Sequence, residues 1–187
     1  RVARGSSPRT TRGTRTRAAR RSAWSRPWLF LGGLALLVAA AWFEGPVLAR
    51  QVWHQVGVRR VEGHAELLRE AARESGVDAN VLAGLVYVES RGNVAAESSK
   101  GALGLFQLMP AAASDAAKRL RLPVPSRAEL LTDARLNARL GANHFAQLVR
   151  LLGPDLERVL VAYNAGRGRL NEWEDAAGGW EAWRARH

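Results

Sequence analysis

From His64 onward, apolar residues return every three or four positions, the spacing that gathers them on one face of an α-helix. Leu67, Leu68, Ala71 and Ala72 mark a first helix, and Gly76 stands where a left-handed residue would end it. Asp78 is placed to cap a second helix, in which Leu82, Leu85, Val86 and Glu89 share one stripe. Pro110 suits the first turn of a third helix to about Leu122, and Pro123-Val124-Pro125 stops it. Ser126-x-x-Glu129 has the form of a capping box for a short helix to Leu131. Asp133 can begin a helix through Leu152. Asp155 can begin another that aligns Leu156, Val159, Leu160 and Tyr163 and closes at Gly166. Period-2 alternation nowhere persists long enough to define a strand, so the pattern predicts an all-α domain with short connections.

Upstream the pattern changes. Residues 28–43, WLFLGGLALLVAAAWF, carry no charge and are apolar on every face. As a helix they would span about 24 Å, within reach of the ~30 Å hydrocarbon core when flanking residues and local thinning help. Trp28 and Trp42 bracket the segment as an interfacial belt would. The expectation is a single transmembrane anchor. Ala39-Ala40-Ala41 also fits a small-x-small signal-peptidase site, which leaves a cleaved signal as the alternative.

Charge sharpens this division. The chain's net +11 points to nucleic acid until it is located: residues 1–27 hold nine of the 28 basic residues and no acid, and the remainder carries 19 basic against 17 acidic residues. An Arg/Ser/Thr/Gly-rich arm with almost nothing to bury is expected to be disordered, and beside an apolar segment it sets orientation. The arm is thereby assigned to the cytoplasm, the segment to a membrane, and everything beyond to the far side of it, with no nucleic-acid partner expected. Four units follow: the arm (1–27), the anchor (28–43), a short amphipathic stalk (44–62) and a helical domain (63–187).

The chemistry is concentrated around Glu89. Its place on the apolar stripe predicts desolvation and a raised pKa, the tuning a carboxylic acid needs to donate a proton near neutral pH; swinging into solvent from the last turn is the plainer alternative. The chain has no Cys, which excludes a disulfide framework, a thiol nucleophile and thiolate zinc sites. With four His and no HExxH-type pair, neither a metal site nor a cofactor is expected.

The run Glu89-Ser90-x-x-Asn93, then Ser98, then Gly101-Ala102-x-Gly104-Leu105-x-Gln107-Leu108-Met109-Pro110, and downstream Ala162-Tyr163-Asn164-Ala165-Gly166, resembles the lytic transglycosylase family. A weaker block, Asp133-x-x-x-Asn137-x-x-x-Gly141, resembles the helix that family places between the glutamine block and AYNAG. The resemblance covers roughly residues 64–173. Gly92, Val94, Phe106, His144 and Arg167 depart from the residues usual at those positions.

The resemblance implies a lysozyme-like helical domain acting on peptidoglycan glycan strands. Glu89 would be the catalytic acid, acting on the bond between N-acetylmuramic acid and N-acetylglucosamine and leaving a 1,6-anhydro end. Ser98, Gln107, Met109, Tyr163 and Asn164 would contact substrate, with the Tyr163 hydroxyl reaching Glu89. Three of them have a plainer reading: Ser98 a polar turn, Met109 and Tyr163 core packing. A hydrolytic muramidase like the goose-type lysozymes, or a non-catalytic glycan-binding module, would use the same groove. Trp173, Trp180 and Trp183 suit either sugar stacking or packing at the C-terminus.

Overall fold

Asp78 begins the helix that matters most, its Oδ1 accepting from the amides of Asn80 (2.7 Å) and Val81 (3.4 Å). Similar caps punctuate the rest of the computed structural model, which describes residues 49–187. Helix α1 runs through 49–63, followed by α2 (Ala65–Ser75), α3 (Ala79–Ser90), α4 (Pro110–Leu120), α5 (Arg127–Thr132), α6 (Ala134–Leu152), α7 (Leu156–Ala165), α8 (Arg167–Ala177) and α9 (Trp180–Arg184). Gly76, at φ 75°, ends α2. Ser126 and Glu129 form the reciprocal capping box of α5, while Asp133 caps α6 and Asp155 caps α7. The expected all-helical architecture is present. Among the described residues the only β features are two isolated bridges, Glu97 to Leu103 and Leu103 to Leu108.

The core is built around α6, which packs against α2, α4, α5 and α7. Ala138, Leu140, Ala142, Phe145 and Leu148 are buried along it, and small residues let its neighbours approach. From α3 come Leu82, Leu85 and Val86, all buried as their spacing predicts. Their helix turns its other side outward, leaving Val88 74% exposed.

The segment expected as a stalk does more than space. Val61 of α1 belongs to the core, the Gly57 backbone lies against the Tyr87 ring, and a Cβ on Gly92 would collide with Arg60 and Val61. His64 Nε2 donates to the Gly92 carbonyl at 3.1 Å, tying the start of α2 to the turn just after Glu89. The arm and the anchor or signal segment lie outside the described residues, and no described helix is long and apolar enough to cross a membrane.

At the other end, Arg158 of α7 makes a two-pronged ion pair with Glu174 of α8, at 2.7 and 2.6 Å. Trp180 Nε1 donates to Asp155 at 2.7 Å, and Trp183 stacks with both Trp173 and Trp180. The tryptophans thus pack on one another, and with the ion pair they fasten α8 and α9 to α7.

Candidate active site

Glu89 sits in the last turn of α3, where the adjacent Ser90 hydroxyl donates to the Val86 carbonyl at 3.1 Å and Arg91 closes the helix at φ 51°. The carboxyl is half-buried, and burial raises its pKa. It lines a groove of about 370 Å³ whose walls include Leu85, Val88, Leu156, Leu160 and Asn164. Leu156 and Leu160 are partly exposed there although their helix pattern would bury them. An apolar wall left open beside a carboxyl suits a ligand rather than a core.

A second groove, about 670 Å³, is lined by Gln107, Met109, His144, Tyr163 and Arg167. Asn164 borders both, so the two grooves meet beside the end of α7. Met109, the residue that precedes α4, is 47% exposed and faces this groove rather than the core.

The loop from Ser98 to Pro110 is held by backbone pairing. Leu103 and Leu108 exchange two hydrogen bonds of 3.0 Å, and Gly104 N donates to the Ala96 carbonyl at 2.8 Å. Gln107 adopts φ 46° and sends Nε2 back to the carbonyls of Ala96 (3.1 Å) and Gly104 (3.0 Å). The donor half of its amide is therefore used within the protein, and Oε1 takes no hydrogen bond among the described residues. Ser98 Oγ accepts from Ala102 N at 3.0 Å, shaping the turn, and Ser98 lines neither groove.

Tyr163 connects this loop to the acid. Its hydroxyl donates to the Phe106 carbonyl at 2.7 Å, and its pKa is pushed well above the ordinary phenol value, first by burial and then by the Glu89 charge. The structure thus brings Glu89, Tyr163 and Asn164 to one place, with Gln107 and Met109 on the adjoining groove.

A second catalytic carboxyl would have to come from another acid of the domain, and Asp78, Asp133 and Glu97 each have a structural task instead. Asp78 caps α3, Asp133 caps α6, and Glu97 pairs with Arg127.

Asn137 carries more of the site than its sequence block reveals. Fully buried, it accepts from Phe106 N at 3.0 Å and donates to the carbonyls of Leu103 and Leu130, both at 3.0 Å. A Cβ on Gly104 would overlap this amide, and a Cβ on Gly141 would overlap the Phe106 ring. The signal was legible as an amide on the core-facing stripe of α6, a group that must find partners once buried. Arg119, Asp115 and Gln147 also line the second groove, yet in sequence they read only as the polar faces of α4 and α6.

Comparison with known proteins places this geometry. The family model for the transglycosylase SLT domain matches residues 66–185. The soluble lytic murein transglycosylase of Escherichia coli (strain K12) is 25% identical over 126 residues, 67% of this chain and 20% of that protein. The membrane-bound lytic murein transglycosylase E of Buchnera aphidicola is 31% identical over 113 residues, 56% of this chain and 51% of the relative. Among solved structures, an inactive mutant of the lytic transglycosylase Slt from Pseudomonas aeruginosa superimposes with a TM-score of 0.56 at 30% identity, covering 59% of this chain and 18% of that one. The chain thus spans about a fifth of the length of the soluble relatives and about half of the membrane-bound one.

Proposed function

We propose that this chain, which belongs to the transglycosylase SLT domain family, is a peptidoglycan lytic transglycosylase with Glu89 as its single catalytic carboxyl. The observation that carries the reading is the half-buried Glu89 at the junction of an open apolar groove with the Tyr163 and Asn164 side chains. Burial keeps its proton available at a pH where an exposed carboxyl would have lost it.

In the proposed reaction Glu89 gives its proton to the glycosidic oxygen between N-acetylmuramic acid and N-acetylglucosamine as that C1–O bond breaks. Positive charge spreads over C1 and the ring oxygen. The Glu89 carboxylate then takes the proton of the C6 hydroxyl, whose oxygen bonds to C1 and closes the 1,6-anhydro ring. Acid is regenerated, and no water is consumed. A two-carboxylate glycosidase would need a second free acid at about 5 to 9.5 Å, whereas Asp78, Asp133 and Glu97 are occupied in caps or an ion pair.

Tyr163 fits a supporting role. With its proton given to Phe106, the hydroxyl can offer Glu89 only a lone pair, which favours the protonated acid over the carboxylate. Gln107 Oε1, Met109 and Asn164 are assigned to glycan contact, and Ser98 to shaping the loop beside it. That the Pseudomonas relative is described as inactive when one glutamate becomes glutamine supports an essential glutamate, the role proposed for Glu89.

We also assign residues 28–43 as the segment that brings the domain to the periplasmic face of the inner membrane, in keeping with membrane-bound relatives. Mass spectrometry of the products from purified sacculi tests the activity. Anhydro ends are expected; reducing ends would make the protein a muramidase, and intact strands a binding module.

A further inference from the structure

Beyond the bond that is cut, the second groove carries charge that the proposed chemistry does not use. Arg119 from α4 and Arg167 from the start of α8 line it together with Met109, Tyr163 and Asn164. Elsewhere in the domain, Arg135, Arg139 and Arg158 are matched to Glu70, Glu74 and Glu174. Arg119 and Arg167 enter no ion pair among the described residues. The groove has one acidic side chain, Asp115; its Oδ1 lies 3.9 Å from Lys118 Nζ, and its charge also reaches Arg119 without forming an ion pair with it.

Arg119 is also oriented. Its Nε donates to Asn143 Oδ1 at 3.0 Å, which fixes the plane of the guanidinium and leaves both terminal nitrogens for another partner. The next residue, His144, has its pKa lowered by burial and places its ring 5.4 Å from that of Tyr163. One chain of contacts therefore leads from the fork of Arg119, through Asn143 and His144, to the residue beside the catalytic acid.

We propose that Arg119 and Arg167 form a carboxylate-recognising end of the substrate groove, which holds an acidic substituent of the glycan strand while the adjoining bond lies at Glu89. The inference rests on the reading of the site as one for peptidoglycan strands and adds what that reading lacks, a determinant of which strands are preferred. Neutral sugar rings offer hydroxyl and amide oxygens to a guanidinium but no counter-charge. The lactyl group of muramic acid, as a free acid or through the acids of an attached peptide, supplies carboxylates.

The experiment is equilibrium binding by the full chain carrying Glu89→Gln, so that the result does not depend on cleavage. Three ligands are compared: peptide-bearing strands, strands stripped to free lactyl carboxylates, and uncharged N-acetylglucosamine oligomers. Adding Arg119→Gln and Arg167→Gln should weaken binding of acidic strands by on the order of threefold to tenfold, the scale of two partly exposed ion pairs, and leave the uncharged oligomers unaffected. Loss confined to peptide-bearing strands assigns the peptide as the source; loss for both acidic ligands assigns the lactyl carboxylate. Unchanged affinity for both, or an equal loss for the uncharged oligomers, overturns the inference. A salt titration with both arginines present gives a check that needs no charge substitution: rising ionic strength should weaken only the acidic ligands, and salt-independent binding of them would also overturn it.

Discussion

The hydroxyl of Tyr163 donates to the backbone carbonyl of Phe106 at 2.7 Å, so one proton links helix α7 to the loop that carries Gln107 and Met109. The same oxygen feels the charge of Glu89. Tyr163 thereby joins the loop to the neighbourhood of Glu89.

Replacing Tyr163 by Phe tests that link. Losing the hydrogen bond should cost about 1 kcal/mol of stability. Losing the lone pair should lower the Glu89 pKa, so the alkaline limb of kcat/KM on glycan strands is expected at lower pH than in the wild type. A pH profile with an unmoved limb would reduce Tyr163 to packing.

Glu89→Gln should remove cleavage by ~10² to 10⁴ or more, since the proposed mechanism puts both proton donation and proton removal on this one group. Stability moves the other way. A carboxyl whose folded pKa lies above its unfolded value stabilises the fold fully below the unfolded pKa and loses that contribution as pH rises through the folded one. At neutral pH the Gln variant should therefore melt no lower than the wild type. Glu97→Gln breaks only the exposed pair with Arg127 and is expected to retain most activity. An inactive but folded Glu97→Gln protein would return the two-carboxylate hydrolase.

The loop depends on contacts with α6. Gly141→Ala would drive a methyl into the buried Phe106 ring, and overpacking of this kind typically costs ~1–3 kcal/mol. Gly104→Ala adds a clash with Asn137 and the Leu130 carbonyl to an unfavourable φ of 78°. Gly101→Ala has the unfavourable φ of 84° but open space around it, so its loss should stay near the ~1–2 kcal/mol of a left-handed residue. Denaturant melts should rank Gly104→Ala as more damaging than Gly101→Ala; equal losses would mean that Asn137 does not anchor the loop.

His144 should set acid stability. Burial first, and the charge of Arg119 second, hold its pKa below the ordinary 6.5. A histidine depressed in this way contributes stability above its unfolded pKa and loses it as pH falls through the folded value. His144→Gln is expected to flatten the fall of melting temperature below about pH 6.5, measured against the wild type in matched buffers.

Topology has its own test. Reporter fusions after Arg26 and after Arg60 should read out opposite compartments, the orientation that nine arginines before the apolar segment favour. A cytoplasmic signal from both would remove the anchor and the export with it.

Much of the fold was written locally. Asp78, Ser126, Asp133 and Asp155 begin helices where the sequence places caps, because a short polar side chain bonds amides only two or three residues away. Gly76 likewise ends a helix by its own backbone freedom. Periodicity put Leu82, Leu85 and Val86 in the core and Glu89 at its margin, and the spaced blocks around Glu89, Gln107 and Tyr163 were enough to identify the family. Tertiary structure decided what these groups do for one another. Sequence reading placed the chemistry on α3, but packing centres the domain on α6, since only a helix with neighbours on several sides buries Asn137, Gly141 and Phe145 together. It also used the Gln107 donors inside the loop, gave the Tyr163 proton to Phe106, and brought Arg119 into the groove of Asn164. Those partners lie tens of residues apart in the chain, and a hydrogen bond or an electrostatic contact depends on distance in space, which helical periodicity does not specify.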